Sequence, residues 1–439
     1  MTRQLKLGAF LMATGHHVAA WRHPDVPADA GLDFSHYKRL AQIAEAAKFD
    51  ALFVADSVAA ASGEIASRMA RSDHFEPLTL LSALSAVTEH IGLIATATTS
   101  YNEPYHVARK FASLDHLSGG RAGWNLVTSD NAAEALNFGR DEHIGHGERY
   151  SRAREFHQVV TGLWDSWEDD AFIRDKASGA YYDPAKLHVL DHVGEHFRVK
   201  GPLNVARSPQ GQPVIVQAGS SQVGRELAAQ TAEVVFTAQT SLANAQAFYA
   251  DLKGRLPRFG RSTDSLKIMP GVFVVVGQTE SEALEKYETF QQLVEPQVGV
   301  ALLGRMLGNF DLSKYPLDGP LPELPLTESG QQSRQKLLTE LAGREHLSLA
   351  DLGRKIAGGR GHFSLIGTPV QIADQLQQWF EADAADGFNV LVPHLPGGLE
   401  DFANGVVPEL QRRGLFRTEY EGRTLRQNLG LERPGNRFV

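Results

Sequence analysis

The chain contains no cysteine in its 439 residues. Disulfide bonds, thiolate zinc sites and cysteine nucleophiles are therefore excluded. Clustered positive charge is also missing: the formal net charge is −9, no block of about five basic residues occurs, and we expect no nucleic-acid partner. No stretch approaches the roughly 18 consecutive apolar residues that a membrane span needs, and MTRQLKLGAF at the start has no long apolar segment. These absences predict a cytoplasmic protein with no membrane partner.

Two signatures of cofactor and metal binding are absent too. No G-x-G-x-x-G follows a predicted strand, so a built-in dinucleotide site is not indicated, and H-E-x-x-H does not occur. His188, His192 and His196 recur at intervals of four, which would form a metal-binding face on a continuous helix. Gly194 and the strand-like HFRVK interrupt such a helix, so we predict no metal.

Short apolar runs alternate with amphipathic segments along the chain. The helical segment 34–48, for example, carries apolar side chains along one stripe. Alternation of this kind is typical of an α/β protein, and eight strands predict a (β/α)8 TIM barrel with long insertions after strands four and seven. The predicted strands span residues 5–11, 51–56, 91–100, 122–127, 213–220, 234–239, 268–277 and 387–394.

Two connections are too long for simple strand-to-helix loops. Residues 130–212 contain a predicted helix (147–164) and a hairpin around HFRVKGPLN, whereas residues 278–362 form a second, Pro-rich insertion. We predict a single TIM-barrel domain over residues 1–439, whose insertions cover the active site. The basic tail, 414–439, is expected to pack on the outside of the barrel or on a partner subunit.

Polar side chains follow the predicted strands at the points where those strands end. Asp56 ends strand two, Thr96 and Thr98 share one face of strand three, and Asn125 and Ser129 share one face of strand four. Barrel enzymes bind their ligands at the carboxyl ends of the strands. The sequence therefore predicts a ligand site formed by these five residues.

A second polar group predicts an anion site. QAGSSQVGREL leads a strand directly into a helix through Gly219, Ser220 and Ser221, so free N–H groups and two hydroxyls face one point. An ordinary serine N-cap is the alternative interpretation. His146 and Tyr150 lie four residues apart on one helix face, where both could reach the same anion.

Other side chains are candidates for substrate chemistry. His17 follows strand one and His362 lies in GGRGHFSLIGTP; each is either a general acid or base or a packed polar residue. Four arginines could anchor substrate carboxylates, with solvated surface as the favoured interpretation: Arg22, Arg68, Arg71 and Arg360.

Longer motifs connect the chain to a known family. They include WRHP, FDALFVAD, YNEPYHVARKFASLDHLSGGRAGWNLVTS, HGERYSRAREF, QAGSSQVGRE and VVPELQRRGLFRTEY, which together extend over nearly the whole length. The chain resembles the flavin-dependent monooxygenases of the bacterial luciferase superfamily. Within it, the closest resemblance is to the branch of nitrilotriacetate monooxygenase component A and dibenzothiophene-sulfone monooxygenase.

The resemblance implies a (β/α)8 homodimer or homotetramer that binds reduced FMN (FMNH2) and O2. A separate NAD(P)H:flavin reductase would supply the FMNH2, and a small organic substrate would be oxygenated, with cleavage of a C–N or C–S bond. A deazaflavin-dependent oxidoreductase of the same superfamily and a non-catalytic flavin-binding protein are the alternatives.

The resemblance also implies roles for individual residues. Asp56 and Thr98 would lie by the flavin ring, with Asn125 and Ser129 near the ring and the ribityl chain. The ribityl-phosphate end would be bordered by His146, Tyr150 and Ser220. The substrate side would be lined by Phe10, His17 and the residues around His362.

Overall fold

Parallel strands close into a barrel in the computed structural model of the chain, which describes residues 3–326 and 332–439. Eight strands form the ring in their sequence order, and the eighth pairs with the first. The predicted (β/α)8 barrel is confirmed. The strands are β1 (Lys6–Leu11), β2 (Ala51–Val54), β3 (Gly92–Thr98), β4 (Ala122–Val127), β5 (His192–Val193), β6 (Arg198–Val199), β7 (Val214–Gln217), β8 (Val234–Thr237), β9 (Lys267–Val276), β10 (Phe363–Gly367) and β11 (Gly387–Leu391).

Helices connect the strands and surround the barrel. A π-helical turn, Phe402–Val406, joins α12 to α13. Among the described helices, none combines the length and apolar character that a membrane crossing requires. The helices are α1 (Phe34–Ala46), α2 (Pro77–Ser85), α3 (Pro104–Ser118), α4 (His146–Trp164), α5 (Gln222–Thr231), α6 (Leu242–Arg255), α7 (Glu280–Gln292), α8 (Pro296–Met306), α9 (Gln332–Glu345), α10 (Leu349–Gly359), α11 (Pro369–Glu381), α12 (Gly397–Asp401), α13 (Val407–Arg412) and α14 (Leu425–Leu429).

β10 is an additional strand that pairs in parallel with Val272–Val276 of β9. The sequence pattern does not predict it, because FSLIG is a run of 5 residues inside a Gly-rich segment. β10 holds the preceding His362 against β9. The approach is close enough that a β-carbon on Gly271 would lie 2.5 Å from His362 Nδ1, so Gly271 is needed there.

The first insertion contains α4 and the predicted hairpin, which is confirmed as the antiparallel pair β5–β6. Glu155 of α4 holds the hairpin in place. Its carboxylate lies 2.9 Å from His192 Nε2 and accepts hydrogen bonds from the backbone N–H groups of His196 and Phe197. These bonds offset the burial of an acidic group and attach the hairpin to the barrel wall.

The second insertion builds a separate apolar cluster over the barrel mouth. Its helices α8, α9 and α10 bury leucine and isoleucine side chains together with Val18, Ala66 and Met69, which belong to the loops after β1 and β2. α8 and α10 pack closely because Gly299 and Gly353 face each other; a β-carbon on Gly299 would lie 3.0 Å from Gly353. The insertion therefore covers the carboxyl ends of the strands.

The carboxyl-terminal tail corrects an expectation. It does not pack only on the outside of the barrel, because Leu425 of α14 is fully buried with side chains inside the amino-terminal end of the barrel. Two buried ion pairs attach the segment around it, Arg417 with Asp50 and Arg426 with Glu233. The basic composition of the tail predicts a position on the outside, but these two arginines are paired with carboxylates of the barrel.

Replacement of Leu425 by alanine should destabilise the barrel. A leucine-to-alanine change at a buried site that cannot collapse costs about 2–5 kcal/mol of unfolding free energy, and the site here borders backbone: a β-carbon on Gly92 would lie 2.4 Å from Leu425. Equilibrium urea denaturation measures the change. Leu117→Ala is the matched control, because this leucine of α3 is 67% exposed and should change stability by less than about 0.5 kcal/mol. Equal effects of the two substitutions would refute the buried position of α14.

Candidate functional site

A cavity of about 310 Å³ opens at the carboxyl ends of the barrel strands. The structure brings all ten predicted cofactor-binding residues to its walls, although they come from five separate segments of the chain. The walls include Asp56, Thr96, Thr98, Asn125, Ser129, His146, Tyr150, Gly219, Ser220 and Ser221, together with Phe10.

Asn125 lines this cavity and has an unpaired side-chain oxygen. In the register of β3 and β4, Thr96 is opposite Asn125, and its hydroxyl donates to the carbonyl of Val54 at 2.8 Å. The Thr96 oxygen accepts a hydrogen bond from Asn125 Nδ2 at 2.8 Å. Asn125 Oδ1 is buried and has no partner among the described residues. A buried acceptor of this kind is expected to receive a hydrogen bond from a bound N–H or O–H group.

Thr98 and Ser129 form the next part of the wall. Their hydroxyl oxygens are 2.8 Å apart, and the backbone N–H of Ser100 donates to Thr98 at 3.1 Å. Ser129 has a φ of +50°, a left-handed conformation that turns the chain sharply after β4. The guanidinium of Arg149 donates to the Ser129 carbonyl and stabilises this turn. The two hydroxyls are thereby held at the cavity surface.

The predicted anion site lies at the start of α5. Ser221 is its N-cap and accepts a hydrogen bond from the Gly224 N–H at 3.1 Å, so the N-cap interpretation is confirmed for this hydroxyl. Ser220 Oγ lies 3.0 Å from Thr237 Oγ1 of β8. The remaining first-turn N–H groups of α5 have no carbonyl partner within the helix, which leaves them available to an anion.

His146 and Tyr150 reach the same helix end from α4. Their ring centroids are 5.0 Å apart, as expected for residues four apart on one helix face. A β-carbon on Gly224 would lie 3.2 Å from the Tyr150 hydroxyl, so the phenol borders the first turn of α5. Burial and the nearby Arg149 charge lower the pKa of His146. The imidazole is therefore neutral at pH 7 and can donate one N–H.

The residues predicted for the substrate side occupy two layers. Phe10 lines the cavity, and its ring contacts Phe53 and His16 at centroid distances of 4.9 and 4.6 Å. His17 lies behind this layer against Phe290 of α7. His362 stacks at 5.2 Å on Phe236, which lines the cavity. Neither predicted histidine is itself part of the cavity wall.

His16 was not predicted, and it is the histidine that contacts Phe10. Both of its ring nitrogens are buried without a partner among the described residues, as is His362 Nδ1. Burial, followed by nearby arginine charges, lowers the pKa of His17 to about 3 and the pKa values of His16 and His362 well below 6.5. All three imidazoles are neutral at pH 7, which favours hydrogen bonding to a ligand over proton storage.

The three histidines considered for a metal site have other partners. His188 lies 2.9 Å from Glu168, His192 2.9 Å from Glu155 and His196 3.0 Å from Ser151. Within residues 3–326 and 332–439, no group of three or more His, Asp or Glu side chains is arranged to hold a metal ion.

Several residues of the cavity wall were missed by sequence reasoning. Gln217 and Thr237 end β7 and β8, so the rule that identified Asp56 at the end of strand two also applies to them. Glu134, Arg334 and Leu337 come from the insertions. No local pattern indicates that these three face the cavity, because their position depends on how the insertions pack.

The fold agrees with comparisons to known proteins. The model of the luciferase-like monooxygenase family matches residues 9–386. The chain belongs to the luciferase-like monooxygenase family. The resemblance inferred from the motifs is confirmed, and the protein is a flavin-dependent monooxygenase.

Relatives match over almost the whole chain. N-acetyl-S-(2-succino)cysteine monooxygenase of Bacillus subtilis (strain 168) is 54% identical over 100% of this chain and 99% of its own. Nitrilotriacetate monooxygenase component A of Aminobacter aminovorans is 54% identical over 99% and 98%. The crystal structure of riboflavin lyase with modified FMN and riboflavin has a TM-score of 0.88 and 34% identity, covering 98% of this chain and 96% of that chain.

The pKa of His74 reports on the carboxylate at the cavity. His74 Nε2 lies 3.4 Å from Asp56 Oδ1, and this contact is the main cause that raises the pKa of His74 above 6.5. The ion pair between protonated His74 and Asp56 should therefore be present below the raised pKa of His74 and be lost as the pH rises through it. Histidine-labelled protein followed by NMR should show His74 titrating above 6.5, and Asp56→Asn should lower that midpoint. His17 serves as the control and should stay neutral down to about pH 5. An unchanged His74 midpoint in the variant would contradict the Asp56 contact.

Proposed function

We propose that the protein is the oxygenase of a two-component system. It uses O2 and reduced FMN, supplied by a separate NAD(P)H:flavin reductase, to oxygenate a small organic substrate. One observation supports this proposal. A single cavity contains both a helix start suited to an anion and a wall of hydroxyl and amide groups. A flavin mononucleotide carries a phosphate, a polyhydroxylated chain and a ring with polar edges, and each matches one part of that surface.

The phosphate would bind at the start of α5. Gly219, Ser220 and Ser221 bring the chain to the helix, and the first-turn N–H groups with the helix dipole favour an anion there. The Tyr150 hydroxyl borders this turn, and His146 lies beside it. Both can donate a hydrogen bond to phosphate oxygens.

The ribityl chain and the ring would follow along β3 and β4. The unpaired Asn125 Oδ1 supports this assignment, since flavin ring N–H and ribityl O–H groups are donors. Thr96 accepts the hydrogen bond of the Asn125 amide nitrogen and so leaves the amide oxygen free to accept one from the ligand. Ser129 would contact the ribityl chain, while Thr98 and Asp56 would lie by the ring.

The protein's remaining contribution would be positioning and exclusion of water. Bound reduced FMN supplies the electrons that activate O2. Phe10, with Phe53 and Phe236 beside it, forms an apolar floor on the substrate side. Neutral His362 stacks on Phe236 and would hold this floor in position, and neutral His17 lies against Phe290 outside the cavity wall. The second insertion covers the mouth, as needed where water would waste the activated oxygen.

Cleavage of a C–N or C–S bond is the proposed outcome. Two relatives with 54% identity are named for nitrilotriacetate, which is an amine, and for N-acetyl-S-(2-succino)cysteine, which is a thioether. Hydroxylation of the carbon next to nitrogen or sulfur gives a hemiaminal or a hemithioacetal, which breaks down to the free amine or thiol and a carbonyl compound. We further propose a cytoplasmic homodimer or homotetramer, which light scattering of the purified protein would test.

The phosphate assignment is tested by the double variant Ser220→Ala/Tyr150→Phe. Loss of hydrogen bonds to a charged phosphate should weaken reduced-FMN binding by about tenfold or more. Reduced riboflavin lacks the phosphate, so its affinity should not change. Anaerobic calorimetric titration with both ligands measures the difference, and Tyr181→Phe at an exposed tyrosine is the control. Equal weakening of both ligands would mean that the phosphate binds elsewhere.

Monooxygenation itself is tested with 18O2, FMN, NADH and a flavin reductase. Carboxylated and neutral amines and thioethers would be offered, and mass spectrometry should detect one 18O atom per product. H2O2 release that matches all O2 consumed, for every substrate, would favour a non-catalytic flavin-binding protein. Tight binding of a deazaflavin with no binding of FMN would instead favour a deazaflavin-dependent oxidoreductase.

A further inference from the structure

Three arginines on the elements that cover the barrel mouth are near enough for their charges to interact. Arg71 belongs to the loop between β2 and α2, Arg334 to α9, and Arg360 to the C-cap of α10, where its φ is +48°. We call Arg71, Arg334 and Arg360 the arginine cluster. All three side chains are half-buried.

Two arginines of the cluster donate hydrogen bonds to backbone carbonyls. Arg71 Nη2 donates to the carbonyls of Gly15 and His16 at 3.1 and 2.9 Å. The Arg334 guanidinium donates to the carbonyl of Arg360. These bonds fix the positions of two guanidinium groups and neutralise none of their charge. The third, on Arg360, has a buried Nε without a partner among the described residues.

No carboxylate forms an ion pair with the arginine cluster within residues 3–326 and 332–439. The two other arginines considered as carboxylate anchors differ, because Arg22 and Arg68 are more exposed and both pair with Glu295. The surface interpretation is confirmed for those two and is wrong for Arg71 and Arg360.

The mutual repulsion within the cluster is visible in the pKa values. Burial, followed by the charges of Arg305 and Arg334, lowers the pKa of Arg360 to about 10. Burial also lowers the pKa of Arg334 to about 10, although the charge of Asp130 acts in the opposite direction. Partly buried positive charges that lack counter-charges are unfavourable unless an anion joins them.

The cluster adjoins the cavity of the flavin site. Arg334 lines that cavity directly. His16, whose carbonyl receives the Arg71 bond, contacts the ring of Phe10 in the cavity wall. His362, two residues after Arg360, stacks on Phe236 in the same wall. An anion at the cluster would therefore be close to the apolar floor beside the proposed flavin.

We propose that the substrate is a small organic molecule with two or more carboxylates, which bind to Arg71, Arg334 and Arg360. His16, whose ring nitrogens have no partner among the described residues, donates an additional hydrogen bond. Guanidinium groups bind carboxylates in a bidentate manner. The three guanidinium groups of the cluster come from separate segments of the chain. This arrangement suits a ligand with several separate anionic groups better than one compact anion. The inference rests on the proposed function, because it assigns the substrate of the same cavity. The protein's overall negative charge does not oppose it, since the local charge decides.

The test uses calorimetric binding to protein saturated with oxidised FMN, so that no turnover is needed. The probes are nitrilotriacetate and N-acetyl-S-(2-succino)cysteine, each compared with its trimethyl ester. At least one acid should bind, with its ester about tenfold weaker or more. High salt should weaken the acid and leave the ester unchanged.

The variant Arg360→Gln should weaken binding of that acid by about tenfold or more, since one charge-assisted contact is lost. Its guanidinium makes no hydrogen bond among the described residues, so folding should be preserved; thermal midpoints check this. Arg360→Lys should restore part of the affinity. Arg68→Gln is the matched control, because Arg68 lies three residues before Arg71 but pairs with Glu295, and it should bind the acid as the unmodified protein does.

Three results would overturn the proposal: neither acid binds, an ester binds as tightly as its acid, or Arg360→Gln behaves as Arg68→Gln does.

Failure of the proposed function would differ from all of these. It would show as absence of FMN binding in the flavin titration, while the acids still bind to the flavin-free protein. If FMN binds and neutral thioethers are oxygenated while both acids fail to bind, the proposed function stands and the substrate class is wrong.

Discussion

Closure of the parallel barrel is the constraint on which the site depends. Because every strand of the ring runs in the same direction and β11 pairs with β1, residues that follow distant strands meet at one rim. Asp56 follows β2, Ser129 follows β4 and Ser220 follows β7, yet they share one cavity. These residues are far apart in the sequence, so the fold and not their chain positions brings them together. The barrel alone brings together an anion site and a wall of hydrogen-bonding groups.

The insertions add what the barrel cannot provide by itself. α4 supplies His146 and Tyr150 at the helix end where an anion would bind, and α9 and α10 supply two of the three arginines over the mouth. Some of the buried polar atoms without partners among the described residues lie in these regions. Asn125 Oδ1 lies on the barrel wall, and His16 and His362 lie near the arginines. Folded proteins rarely leave buried polar atoms unpaired, so these atoms are candidate contacts for a ligand.

Most of the barrel could be predicted from the sequence, because buried parallel strands are short, continuous apolar runs and all eight were recognisable. The residues predicted to bind a cofactor line one cavity for a similar reason: they end strands or begin helices. β10 was missed because five residues between glycines carry too little pattern. Arg334 and Leu337 were missed because α9 reaches the cavity only through tertiary packing. Arg360 resembled a solvated residue, since sequence alone does not show that nearby carboxylates are lacking.

The position of the tail also has a physical origin that its composition concealed. Arg417 and Arg426 gave the segment a basic character, but each is paired with a buried or nearly buried carboxylate at the amino-terminal end of the barrel. Leu425 fills the space between the strands there. The ribosome synthesises α14 after every strand of the barrel. Until α14 docks, the apolar side chains that surround Leu425 at the amino-terminal end of the barrel are exposed to water. Docking of α14 is therefore a late step of folding, because it needs strands that are already in place.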